Sequence, residues 1–229
     1  MPVYKFSALL NDSRQFRHHL LKVAGISLFA AVILGYFFDQ RLSQYFADHV
    51  VASVLWAPSR IITDIGLSEY YFIISIGTWA LCAFVFPRLG YFKKYAAKVD
   101  FFRRWGLNFL VALLVSGAIT HVIKFCVGRQ RPHKTPDFDP GVFHHFTTHW
   151  HWHSFSSGHS QVMFTVATMF SIAFPKFRWL WIPIAVIACI TRVIVHDHFL
   201  SDIIFGGCVG YVGALLAMKW MKKSKNALY

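Results

Sequence analysis

Three short polar clusters interrupt an otherwise apolar chain. They are Lys124 with Arg131-Pro132, then Ser156-Ser157-Gly158-His159, then Thr191-Arg192 with His198 and Asp202. Lys and Arg offer a point charge and a planar fork, both suited to phosphate oxygens. Ser156 or Ser157 can cap the apolar helix that follows. Gly158 lets the backbone approach an anion, and the free N–H groups of a helix start favour negative charge. His198 and Asp202 are spaced i, i+4, so on a helix they share a face. The carboxylate can then accept one imidazole N–H and leave the other nitrogen free to attack. This inventory suits holding a phosphate and displacing a group from its phosphorus. Taken singly, each cluster has a plainer reading: Lys and Arg snorkelling at a membrane edge, a helix cap beside an interfacial His, and a structural His–Asp pair closing a turn.

The clusters can act together only if helices bring them to one place. The chain has 229 residues, 56% hydrophobic and 14% charged, where soluble domains carry about a quarter charged. The apolar residues form long runs, which predicts an all-α, polytopic membrane protein. One domain over 1–229 is expected, with spans at roughly 20–38, 68–87, 105–127, 159–175, 178–196 and 198–219. Lys5, Arg14, Arg17 and Lys22 before the first span resemble the start of a secretory signal. The run exceeds the usual length of about 7–15 residues and no small-residue cleavage site follows, so an uncleaved anchor is expected.

With six spans, 16 of the 23 Lys and Arg fall on the side of the two termini. Positive-inside then predicts cytoplasmic termini and puts all three clusters at the extracytoplasmic face. The net charge of +13 reads as a topology signal with affinity for anionic lipid. No nucleic-acid partner is expected, because the basic residues flank spans and form no stripe.

Two outer loops are long. Residues 39–67 place Tyr45, Phe46, Val50, Val51, Val54, Leu55, Ile61 and Ile62 at helix-like spacing, either as an interfacial helix guiding headgroups or as packing over the bundle. In 128–158, Pro132, Pro136 and Pro140 argue against early regular structure. His144, His145, His149, Trp150, His151, Trp152 and His153 follow. On an extended strand, 149–153 would put three imidazoles on one side, a metal-like pattern. No Cys joins them, and His and Trp also suit a membrane interface; no metal is expected. Cys82, Cys126, Cys189 and Cys208 lie in apolar segments without a CxxC pair and read as free buried thiols.

On these motifs the sequence resembles the type 2 phosphatidic acid phosphatase family, also called PAP2 or lipid phosphate phosphatase, with its pattern KxxxxxxRP, PSGH, SRxxxxxHxxxD. Ser156 stands where the family has Pro, and Thr191 where it has Ser. The resemblance implies a two-step displacement. His198 attacks phosphorus to form a phosphohistidine and Asp202 orients it. His159 protonates the leaving oxygen and then activates water. Lys124, Arg131, Arg192 and the backbone at Ser157 and Gly158 hold the phosphoryl oxygens. The family needs no metal or other cofactor. Arg129, His196 and Asp197 match no motif position and receive no role.

The implied protein is a bacterial inner-membrane phosphatase acting on an anionic lipid phosphate or pyrophosphate, of the phosphatidylglycerol phosphate, undecaprenyl pyrophosphate or lipid A class. Transfer of the phosphoryl group to a second lipid by the same site is the alternative. A transporter is a weaker reading, because the charges gather at one membrane face. Vanadium haloperoxidases share the motifs but are soluble.

Overall fold

The structure is a computed structural model describing residues 8–50, 55–222, 224 and 228. Lys5, Val51 and Val54, used in the sequence reading, lie outside the described residues. Among the described residues the fold is carried by α1 Ser13–Phe37, α2 Asp39–His49, α3 Trp56–Thr63, α4 Ser68–Ala80, α5 Ala96–Val127, α6 Gly158–Ala173, α7 Arg178–Ile194 and α8 Leu200–Met221. The Asp12 carboxylate caps α1, accepting from the backbone N–H groups of Arg14 and Gln15 at 2.8 and 3.0 Å. α4 runs on through a π-helical turn over Leu81–Val85.

Among the described residues, five stretches are long and apolar enough to cross a membrane: Ser13–Phe37, Trp56–Arg88, Gly90–Val127, Pro175–Ile194 and Leu200–Met221. The expected span at 159–175 is α6, and it falls outside those five stretches because it is short. α6 has 16 residues, about 24 Å at 1.5 Å per residue, against a hydrocarbon core of about 30 Å. Ser157 caps one end and Pro175 begins a 3₁₀ turn just past the other, which fixes its length.

α8 is the axis of the bundle: 67% of its most apolar window is buried, against 6% for α1. α1 instead exposes Leu21, Ile26, Phe29 and Val32, a face suited to lipid tails. Lipid provides no hydrophobic drive between helices, so close approach depends on small residues and on polar contacts. α8 supplies the small residues. A Cβ on Gly210 would lie 2.2 Å from the Gln161 carbonyl oxygen, and one on Gly206 2.5 Å from that of Ser157. Polar contacts join α5, α6 and α8 deep in the bundle. Gln161 Nε2 donates to Ser116 Oγ at 2.6 Å, and Thr165 Oγ1 to the Gly210 carbonyl at 3.1 Å.

Within 39–67, helices α2 and α3 pack over the bundle: Ser43, Asp39 and Thr63 are buried. The loop after α5 contains 3₁₀ turns at Pro132–Lys134, Pro136–Phe138 and Trp150–Trp152. The last of these replaces the extended strand considered for 149–153, so its histidines do not line one side. Three cysteines are buried as expected, but Cys126 is exposed.

Gly210→Ala forces backbone against backbone and is expected to destabilise the bundle by about 1–3 kcal/mol. Gly77→Ala, where a Cβ meets nothing within 4 Å, is expected to leave the thermal transition in detergent unmoved or slightly raised.

Candidate active site

α5 ends where Gly128 takes a left-handed conformation, φ 58°, and donates its N–H to the Lys124 carbonyl at 2.9 Å. A Cβ there would lie 1.7 Å from the His144 carbonyl oxygen, so only glycine fits the turn. Lys124, one turn before it, is buried and donates to the His153 carbonyl. Arg131, just beyond, stacks its guanidinium on Trp150 at 5.1 Å and donates to the Asp197 carbonyl at 3.3 Å.

The start of α6 meets the start of α8 directly. The Ser157 N–H donates to the Asp202 carbonyl at 3.1 Å, and Ser157 Oγ caps α6 by accepting from the Ser160 N–H at 3.4 Å. A Cβ on Gly158 would sit 3.9 Å from Lys124 Cε, and one on Gly66 2.7 Å from His159 Cδ2. The α3–α4 turn therefore presses on His159, a packing constraint with no signature in the motifs.

Arg192, in the last turn of α7, donates to Thr63 Oγ1 at 2.8 Å and pairs with Asp197 at 2.7 Å. Its Nε is buried without an acceptor, as is the Ser156 hydroxyl. Buried donors are nearly always satisfied in folded proteins. The guanidinium N–H here can donate to an acceptor oxygen.

His198 stands two residues before α8, in the 195–199 turn. Its Nδ1 lies 2.8 Å from the Ser154 carbonyl oxygen and 3.7 Å from Asp202 Oδ2. A carbonyl can only accept, so this contact assigns the proton to Nδ1 and leaves Nε2 with the lone pair. The shared helical face expected from the i, i+4 spacing is thus replaced by a turn, in which the carbonyl takes the hydrogen bond and the carboxylate lies behind it. Gly158 lies against Lys124, Ser157 bonds to Asp202, and Arg131 and Arg192 both meet Asp197, so the three clusters converge. Burial holds the His198 imidazole well below its usual pKa; Asp202 opposes the shift and the three cations add to it.

Asp202 is fully buried. Its Oδ1 accepts from Arg129 at 2.6 Å, and its Oδ2 from the Phe199 N–H at 2.8 Å and from the Ser154 hydroxyl. Arg129 also pairs with Asp39 at 2.8 Å. Burial works against its charge, yet Asp202 and Asp39 together hold its pKa above the ordinary value. The motifs give no role to Arg129 or Asp39. The available signal was a carboxylate at the end of an apolar span, costly unless paired.

No group of three His, Cys, Asp or Glu among the described residues has a metal-holding arrangement. His153 Nε2 instead contacts the Thr147 carbonyl at 2.9 Å, and His145 Nδ1 that of Cys126 at 3.2 Å. A cavity of about 410 Å³ lies between α4, α5 and α6, with Lys124, Gly158 and His159 among its lining and apolar walls that include Phe72, Leu113 and Val162.

The PAP2 superfamily model matches residues 105–226, which holds all three clusters; the chain belongs to this family. Two relatives are similar over part of their length. One is a lipid A 1-phosphatase of Rhizobium etli, 32% identical over 105 residues, covering 46% of this chain and 45% of that one. The other is a lipid A 1-phosphatase of Rhizobium johnstonii, 32% identical over 111 residues, covering 48% and 46%. The match thus spans a little under half of either relative. The fold is similar to the crystal structure of a transmembrane PAP2-type phosphatidylglycerolphosphate phosphatase from Bacillus subtilis, with a TM-score of 0.61 and 20% identity over 90% of this chain and 97% of that one. The five long apolar stretches make the chain an integral membrane protein.

Arg129→Met strands two buried carboxylates. It is expected to cost roughly 3–5 kcal/mol, read as a large fall in the thermal transition in detergent.

Proposed function

We propose that the chain is a lipid phosphatase of the bacterial inner membrane, working through a phosphohistidine at the extracytoplasmic face. The observation that carries this is the convergence of two imidazoles on three cations, one imidazole held at Nδ1 with Nε2 left to attack. Nε2 of His198 bonds to phosphorus as the bond to the lipid oxygen breaks, and His159 gives that oxygen a proton. Water, deprotonated by His159, then cleaves the P–N bond and releases phosphate. Lys124, Arg131, the free Nε of Arg192 and the backbone N–H groups at Ser157 and Gly158 hold the phosphoryl oxygens while charge shifts between them. Asp202 steadies the imidazole from behind.

The cavity beside His159 suits the apolar part of the leaving group, which must depart from the side of the acid. The likeness to two proteins named lipid A 1-phosphatase supports lipid A as the substrate among the lipid phosphates considered. The short α6 completes a sixth pass, which returns both termini to the cytoplasm and agrees with the distribution of basic residues.

The test is phosphate release by the detergent-purified protein from lipid A, phosphatidylglycerol phosphate and undecaprenyl pyrophosphate, with EDTA present. Release from lipid A is expected to be fastest, and His198→Ala is expected to lower it by at least about 10³-fold. Release by the variant equal to that of wild type, or none from any lipid, sinks the reading.

The sign of the pH dependence follows from the depressed His198 pKa. The neutral, nucleophilic form persists as pH falls, so the His198 ring is expected to remain uncharged through pH 6.5, the ordinary value for histidine. It is expected to take up a proton only in more acidic solution, as measured by NMR of the labelled imidazole in detergent.

A further inference from the structure

Asp39 opens α2, remote in sequence from all three clusters, and its side chain is wholly buried. Oδ2 accepts from Arg129 at 2.8 Å and from the Ser201 hydroxyl, and Oδ1 accepts from the Ser201 N–H at 3.0 Å. The other arm of Arg129 reaches Asp202 Oδ1 at 2.6 Å and Ser201 Oγ at 2.8 Å. Its Nε donates to the Pro140 carbonyl at 2.9 Å, and its guanidinium covers the Phe199 ring at 4.2 Å. No step of the displacement uses Asp39 or Arg129. Buried ion groups are poor devices for stability alone, because apolar packing of the same volume is often as good or better.

The charges suggest another purpose. A carboxylate matched to one guanidinium is nearly neutralised, and would exert little field on the imidazole beside it. The second carboxylate restores that field. We propose that Asp39 is a positioning residue for the nucleophile. Through Arg129 it fixes the Asp202 carboxylate, and it leaves the buried trio with one excess negative charge facing His198.

This rests on the phosphohistidine reading. When the Nε2 lone pair bonds to phosphorus, the electrons of the breaking P–O bond leave with the lipid oxygen. The ring becomes cationic while its Nδ1–H stays on the Ser154 carbonyl. Lys124 from α5, Arg131 from the following loop and Arg192 from α7 all oppose that new charge. Asp202 and the Ser154 carbonyl favour it, so an excess negative charge behind Asp202 matters to the rate.

A double-mutant cycle on kcat for phosphate release from the lipid that wild type hydrolyses tests this. Asp39→Asn is expected to lower kcat by on the order of tenfold and to change KM by less than about twofold. In an Asp202→Asn background, the same change is expected to cost nothing further, because the coupled pair acts as a unit. A merely structural Asp39 would add its loss to that of Asp202→Asn. Additive losses, or an unchanged kcat in Asp39→Asn, overturn the proposal.

If Asp39→Asn does not fold, Arg129→Lys replaces it in the same cycle. Its ammonium keeps the charge but lacks the fork that joins both carboxylates, and additive losses again overturn the proposal. A wild-type protein inactive on every lipid fails at the earlier step, and marks the hydrolase reading rather than the role of Asp39 as the error.

Discussion

The two arms of the Arg129 guanidinium hold this molecule's functional end together. One arm grips a carboxylate at the start of α2, the other a carboxylate at the start of α8. Segments 90 and 73 residues away from Arg129 in sequence are thereby tied to the turn that follows α5. A fork with two parallel donor faces can do this; a point charge cannot. The arrangement also explains why Gly128 must be glycine. The chain has to reverse tightly after α5 to bring Arg129 inward and still leave Arg131, two residues on, to face Trp150 and Asp197.

Beneath this end the membrane imposes a different economy. Helices in lipid gain little by burying apolar surface against one another, so α8 is held by proximity and by hydroxyl and amide contacts. Gly206 serves both demands. It lets the Ser157 backbone come within reach of α8, and the Ser157 N–H then bonds the Asp202 carbonyl. The cap of α6 and the first turn of α8 are one structural unit, which is why the second and third clusters meet although some 40 residues separate them.

Much of this was legible in the sequence because the signals were local. Long apolar runs marked the helices, and the residue types at Lys124, Arg131, His159, Arg192 and His198 declared an affinity for phosphate before any fold was known. What escaped was set by partners distant in the chain. The i, i+4 spacing of His198 and Asp202 suggested a helical face, but α8 begins only at Leu200, and the imidazole turns to the Ser154 carbonyl. Arg129 looked like a neighbour of Arg131 rather than a bridge, because Asp39 lies far upstream. The alternation of His and Trp would line one side only on an extended strand, whereas Trp150–Trp152 form a 3₁₀ turn.

The cavity beside His159 is walled by α4, α5 and α6 and lined on its apolar side by Phe72, Leu113 and Val162. A ligand that arrives by that route never becomes a dilute solute. Its effective concentration is a mole fraction among the surrounding lipids, and adding more detergent at constant ligand thins it out as surely as adding more water would thin a soluble one. For a ligand arriving in this way, saturation would be a property of the composition of the membrane.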